Sequence, residues 1–213
     1  MTHVILLCVC AIPKIDGGKF VLEKNPSLPT LQKDIHDAQV LMTDTLTHSR
    51  DLVDIILSRR SVRRYQQKEI PKDVLRKILE AGRQAPSAMN RQPWHFIVVT
   101  NNEVKRELSR WHFTKHIKNS PVTIVGCAKT GLLDRKWSII GTSIALQNMV
   151  IAAWALGIGS CWIGGFKEGQ VKQLLKIPDK WKIVALVTLG YPDETPHLKR
   201  KKPIEKVFSI NKF

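Results

Sequence analysis

From Trp137 to Phe166 the chain carries no charged side chain, and that stretch limits the fold more than any other. A run so long and apolar must be shielded on every side, by lipid or by protein. Ser138, Thr142, Ser143, Gln147 and Asn148 interrupt it, and Gly157 and Gly159 end its helical part. The reading is therefore a central buried helix rather than a membrane span. In a chain of 213 residues with 43% apolar content, one sizeable core is expected, and part of the cover for such a helix can come from a second copy.

The helix runs into Gly157-Ile158-Gly159-Ser160-Cys161-Trp162-Ile163-Gly164-Gly165-Phe166. Its start imitates a dinucleotide fingerprint, yet Trp162 stands where the third glycine belongs and a helix, not a strand, precedes it. Gly164-Gly165 fits a close approach of backbone to a flat ligand, or strained φ values. Gly141-Thr142-Ser143-Ile144-Ala145 resembles a nucleophile elbow only loosely, with Ser143 in mid-helix, which excludes hydrolase chemistry.

Ser58-Arg59-Arg60-Ser61-Val62-Arg63-Arg64-Tyr65 places four arginines at the end of a helical pattern capped at Ser49, with Leu52, Val53, Ile55 and Ile56 as one apolar stripe. Guanidinium forks beside a hydroxyl suit a phosphate, although basic residues also gather in last turns simply to offset the helix dipole. A second helix starts at Pro71 and buries Val74, Leu75, Ile78 and Leu79 as far as Gly82. The loop Ala85–Trp94 that follows is bracketed by prolines and holds Ser87, Asn90 and Gln92. Amides offer donor and acceptor together, as a heterocycle edge requires, though such residues also serve ordinary turns.

Phe96–Thr100 reads as a strand. Asn102 is expected to cap a helix from Glu103 to Phe113 that buries Val104, Leu108 and Trp111. His112 and His116 are four apart, but no third ligand matches, so they read as solvent-facing bystanders and no metal is expected. Val122–Ala128 reads as a strand buried on both faces, Val171, Leu174 and Leu175 as a short helix, and Lys182–Leu189 as a strand closed by Gly190-Tyr191-Pro192. His197-Leu198-Lys199-Arg200-Lys201-Lys202-Pro203 is a second basic cluster. The net charge of +16 attracts polyanions in general and does not choose among nucleic acid, anionic lipid and phosphorylated cofactors.

At this point the residues resemble a family. Arg59-Arg60-Ser61-Val62-Arg63, Pro86-Ser87-Ala88-Met89-Asn90-Arg91-Gln92-Pro93-Trp94, Gly159 to Gly165, Leu189-Gly190-Tyr191-Pro192 and Lys201-Lys202-Pro203 occur in the order seen in FMN-dependent nitroreductases, a likeness that covers Asp51 to Phe208. The resemblance implies an α+β fold, a central mainly antiparallel sheet surrounded by helices, in an intertwined homodimer with FMN at the subunit interface. It implies that Arg59, Ser61 and Arg63, with Arg60 nearby, hold phosphate and ribityl oxygens. Pro86, Ser87, Asn90 and Gln92 would come from the partner subunit, and Ile163, Gly164 and Gly165 would lie along the ring. The family places an arginine two residues before the tail proline; Lys201 stands there, with Lys199 and Arg200 beside it. No catalytic acid, base or nucleophile is expected, because the flavin carries the chemistry.

The implied activity is ping-pong reduction of nitroaromatics, quinones or a related small-molecule oxidant by NADH or NADPH. The alternatives are a specialised member of the family, such as a flavin-using dehydrogenase, dehalogenase or flavin-cleaving enzyme, and a basic nucleic-acid-binding module. The second would need exposed aromatics among its basic residues, whereas the tryptophans lie within apolar patterns, so neither specific nucleic-acid nor membrane binding is expected.

Residues 1–47 look unlike the rest and are read as an extension to a domain over 48–213. An apolar run, Val4–Ile12, precedes Gly17-Gly18 and a weak helical pattern from Leu31 to Met42. No Lys or Arg precedes that run and Cys10-Ala11-Ile12-Pro13 is a poor cleavage site, so secretion is not expected, and Met42 could be the true start. Cys8, Cys10, Cys127 and Cys161 form no C-x-x-C pair; reduced thiols in a cytoplasmic protein are the expectation.

Overall fold

The computed structural model describes residues 14–16, 19–21, 52–131 and 135–213. Backbone packing divides the chain into two units, Met1–Asp51 and Leu52–Phe213. In the first, β1 (Lys14–Asp16) and β2 (Lys19–Val21) pair antiparallel, with Lys14 opposite Val21. The expected cap at Ser49, the helical pattern over 31–42 and the first two cysteines lie outside the described residues.

The second unit is built on a four-stranded sheet in the order β3-β4-β6-β5, antiparallel throughout. Its strands are β3 (Trp94–Val99), β4 (Val122–Lys129), β5 (Gly159–Ile163) and β6 (Trp181–Gly190). β4 and β6 are central, and β4 is buried from Val122 to Ala128, as its unbroken apolar run requires. Gly126 stands opposite Ala185 while Cys127 stands opposite Ile183. Val184 is thus an extra residue, a bulge that twists β6 locally.

Because strand residues alternate between faces, the sheet supports two cores. On one face α4 (Arg135–Ala155) and α2 (Lys72–Arg83) cover Ile124, Val187 and Leu189 with Leu146, Met149, Val150 and Ile78. On the other, α3 (Asn102–Leu108), α5 (Glu168–Leu175) and a 3-10 helix (His112–Asn119) cover Val125, Ile163 and Leu186 with Leu108, Ile117 and Val171. α4 is long and apolar enough to cross a membrane, yet Ala145, Leu146, Met149, Val150 and Ala153 are at most 1% exposed against the sheet and α2. Trp137, Ile140 and Ile144 remain exposed on its far side, a stripe at helical spacing. Gly157, at φ +73°, turns the chain out of α4 in a conformation that costs glycine little.

Two expectations for α3 need correction. The cap of α3 is Asn101, whose Oδ1 accepts from the N–H groups of Glu103 and Val104 at 2.9 and 3.0 Å, so the helix begins at the residue assigned to cap it. It stops at Leu108 rather than reaching Phe113, because a separate 3-10 segment takes over at His112. Lys105, within α3, is 5% exposed; its Nζ donates to the carbonyls of Ser120 at 2.7 Å and Pro121 at 3.3 Å, while burial lowers its pKa.

Candidate active site at the β5 edge

A short helix over residues 52–58, α1, delivers the arginine segment. Its end is tied down by Ser58, whose Oγ donates to the Ile55 carbonyl and accepts from Trp154 Nε1 of α4 at 3.0 Å. Of the stripe read from sequence, Leu52, Val53 and Ile56 are exposed and Ile55 is half-buried, and Leu57 beside it is exposed too, so most of the stripe faces outward in a single chain. Arg60 turns back on its own helix, Nη1 donating to the carbonyls of Leu57 and Arg59 at 2.8 and 2.9 Å. It acts there as a C-terminal cap.

The chain then lies along β5. Ser61 bridges Ser160 in parallel fashion, and the Val62 N–H donates to the Ser160 carbonyl at 2.9 Å. Gly159 permits this approach, since a Cβ there would meet the Val62 side chain at 2.8–3.0 Å, closer than real contacts allow. Tyr65 locks the segment from below. Its hydroxyl meets the Val62 carbonyl and, at 2.7 Å, Thr188 Oγ1 of β6, and burial pushes its pKa far up.

Glu194, which sequence reading passed over, completes the anchor. Its Oε1 accepts from the N–H groups of Arg63 and Arg64 at 2.6 and 3.1 Å, and Oε2 pairs with Arg64 Nε at 3.3 Å. Burial alone would raise its pKa, but these N–H groups and the two guanidiniums outweigh it and hold the carboxyl below its ordinary value. With the backbone held, the Arg63 side chain stays exposed. Arg63 and Arg59 both act on the Cys161 thiol, whose pKa burial nevertheless raises.

Beyond β5 the chain reaches Gly164 and Gly165, both exposed. Neither has positive φ, so the strained-backbone reading is withdrawn. A Cβ on Gly164 would meet nothing within 4 Å, whereas one on Gly165 would press on Phe113 at 3.0–3.3 Å. The segment carrying Phe113 also corrects the histidine reading. His112 is exposed, but His116 is half-buried, and its Nε2 is shielded with no hydrogen-bond partner. The Ser160 hydroxyl is likewise buried and unpartnered. Arg59, Ser61, Arg63, Ile163, Gly164 and Gly165 therefore share one edge of the sheet.

The amide loop is elsewhere. Ser87 Oγ accepts from the Gln92 N–H at 2.9 Å, and Gln92 Nε2 donates to Asn90 Oδ1 and the Asn90 carbonyl at 3.3 Å. Met89, Asn90 and Gln92 have φ of 51°, 51° and 48°, with Arg91 between Asn90 and Gln92 at φ −71°; left-handed positions of this kind are held in ordinary residues only by surrounding structure. Pro86 precedes this turn, and Gly141 of α4 lies 3.5 Å, measured from an added Cβ, from Ser87 Cβ. The loop borders a cavity of about 830 Å³ lined by Met89, Gln92, Trp137 and Trp181.

This loop and the arginine segment stand at opposite corners of the sheet. Trp94 pairs with Ala128 and Ala128 with Lys182, whereas Ser160 pairs with Leu189. Seven residues along β6 and three strand spacings place the corners roughly 25 Å apart. The remaining basic group, Lys199, Arg200 and Lys201, lies on a tail that is exposed from His197 to Phe213. That tail exposes Leu198, Ile204, Val207, Phe208, Ile210 and Phe213 as well.

Comparison with known proteins decides the family. The model of the nitroreductase family matches residues 56–121 and 109–191. The chain belongs to the nitroreductase family. It is 37% identical over 154 residues to a Methanothermobacter thermautotrophicus protein assigned as an NADH dehydrogenase/NAD(P)H nitroreductase, covering 68% of this chain and 80% of that one. An NADH dehydrogenase of Thermus thermophilus is 32% identical over 187 residues, covering 71% and 91%. Among solved structures, an FMN-dependent nitroreductase from Clostridium difficile R20291 superposes with a TM-score of 0.68 at 30% identity, covering 76% of this chain and 99% of that one. The α+β architecture read from the sequence is that of this nitroreductase fold, and the protein is an oxidoreductase of the family.

Proposed function

We propose that the protein is an FMN-dependent oxidoreductase that uses NADH or NADPH to reduce nitroaromatics, quinones or a related small acceptor by a ping-pong route, as a cytoplasmic homodimer. The observation that carries this is the backbone clamp that holds Arg59, Ser61 and Arg63 beside a strand ending in Gly164-Gly165. The donor set fits the cofactor: guanidiniums and a hydroxyl for phosphate at one end, and open backbone at the other, where a Cβ on Gly164 would take up space a flat ring needs. Among the described residues three buried polar atoms lack a partner, Ser160 Oγ and Trp162 Nε1 on β5 and His116 Nε2, and Ser160 and His116 suit a site that a ligand completes.

In this reading Arg59, Ser61 and Arg63 hold the phosphate and ribityl oxygens, with Arg60 spent on capping α1. Ile163, Gly164 and Gly165 give the ring a flat wall. The corner-to-corner separation supports a shared site: Pro86, Ser87, Asn90 and Gln92 are too far from Arg63 to meet the same cofactor within one chain, so they serve the site of a second copy. Exposed apolar residues on α1, on α4 and along the tail offer a seam for that copy, and Lys199, Arg200 and Lys201 would reach the phosphate across it. When bound, FMN supplies hydride acceptance from NAD(P)H and hydride donation to the acceptor. The protein would orient the ring by amide hydrogen bonds, and its cations would stabilise negative charge developing on the pyrimidine edge. Purification tests the reading. The protein should be yellow, bleach on adding NADH or NADPH, and regain colour with a nitroaromatic or quinone; a colourless protein that takes up no added FMN contradicts it.

A further inference from the structure

The 3-10 helix His112–Asn119 has three distinct faces, because side chains three residues apart eclipse in this geometry. Thr114, Ile117 and Ser120 point inward and are at most 1% exposed, while His112, Lys115 and Lys118 are exposed. The third row begins with Phe113 and His116. Phe113 rests on Gly165, and His116 lies close enough to Arg63 and Glu194 to feel both charges. One row of one short helix therefore runs from the glycine end of the candidate site to its arginine end.

His116 is out of place there as a structural residue. Its Nε2 is shielded from water and bonds to nothing, and such orphan atoms are uncommon in folded proteins outside functional sites. Burial and the Arg63 charge oppose protonation, Glu194 favours it, and the balance lowers its pKa. Lys115 and Lys118 on its own helix add positive charge, and the buried Cys161 thiol of β5, whose pKa is raised, stays neutral. Burial and the Arg63 charge thus favour the neutral imidazole in the free protein.

We infer that His116 is a proton-linked positioning residue of the flavin site: it takes up a proton when the cofactor is reduced and so makes the reduced state easier to reach as pH falls. This rests on the FMN reading above. With FMN bound, hydride transfer from NAD(P)H would bring two electrons and one proton to the site and leave one net negative charge in the pocket that also holds Arg63. That charge offsets the guanidinium, and a second proton, drawn from solvent, binds His116 Nε2. Phe113 and Gly165 fix the helix so that the imidazole faces this charge rather than bulk water.

The test is the midpoint potential of the FMN-loaded protein across about pH 6 to pH 8, the range in which histidine titrates, in wild type and His116→Gln. Each proton taken up with two electrons is a tenfold change in equilibrium constant per pH unit, or about 30 mV. The wild type should follow a slope of roughly 60 mV per pH unit through part of this range and His116→Gln roughly 30 mV throughout. Equal slopes in both overturn the role of His116 while leaving the FMN reading intact; failure of the wild type to bind FMN overturns both. If the glutamine variant does not fold, NMR titration of the wild-type imidazole decides. Its pKa should rise on reduction of the bound flavin, and an unchanged pKa overturns the inference.

Discussion

Arg59–Arg64 and His197–Lys202 are alike in charge and differ in what holds them. The first segment is bridged to β5 at Ser61, tied to β6 through Tyr65, and gripped at two backbone N–H groups by Glu194. The second is exposed throughout. A guanidinium on a fixed backbone has already lost the freedom that binding would otherwise take away, whereas a lysine on an exposed tail must be ordered by the act of binding. Equal charge therefore does not mean equal contribution to a bound anion.

The contrast breaks most sharply at Arg63. Arg63→Glu replaces a charge-assisted donor by a like-charged group facing phosphate, and FMN affinity should fall at least about a hundredfold, or ~3 kcal/mol; equilibrium titration of the stripped protein with FMN measures it. Glu194→Gln sharpens the comparison by loosening the clamp and leaving every arginine in place. Losing the charge on two backbone hydrogen bonds should cost about 1–2 kcal/mol of folding stability, seen by denaturant unfolding, with a smaller loss of FMN affinity.

The pH dependence follows from the sign of the Glu194 shift. A carboxyl held below its ordinary value of 4.5 in the folded state contributes stability that is fully present above 4.5 and lost as pH falls through the lowered folded value. The gap between wild type and Glu194→Gln should therefore be constant near neutrality and close in acid. Lys201→Ala comes last. An exposed point charge on a tail should change FMN affinity by no more than about tenfold, and added salt should shrink the effect further.

The sequence showed α2 and α5 by their apolar stripes, β6 by its alternation, and α4 and β4 by unbroken apolar runs, while β3 was read only from Phe96 although it begins at Trp94. β5 was not read as a strand, because Gly159-Ser160-Cys161 directly after α4 carries no strand pattern of its own. The region after Leu108 was obscure for a physical reason. Its inward row is Thr114, Ile117 and Ser120, two of them polar, spaced by three, so it carries neither a helical nor a strand pattern of apolar residues, and His116 was misread as exposed with it. Adjacent asparagines at 101 and 102 are equally good caps by residue type, and only the backbone distinguishes them. For the site, Arg59, Ser61, Arg63 and the glycine pair were legible as residue types suited to a phosphate and a flat ring. Glu194 was not. Asp193 and Glu194 are adjacent acids that residue type does not distinguish, and the worth of Glu194 depends on β6 returning it to a segment more than a hundred residues earlier in the chain.

The central claim is that one cofactor site needs the arginine corner of one copy and the amide corner of another. Arg63→Glu and a double variant, Asn90→Ala with Gln92→Ala, should each bind FMN weakly as homodimers. A heterodimer of the two, isolated with separate tags, keeps one site in which both corners are native. The account predicts one tightly bound FMN per heterodimer, half the wild-type content; a heterodimer with no tight site, or a wild-type protein that binds FMN as a monomer, would contradict it.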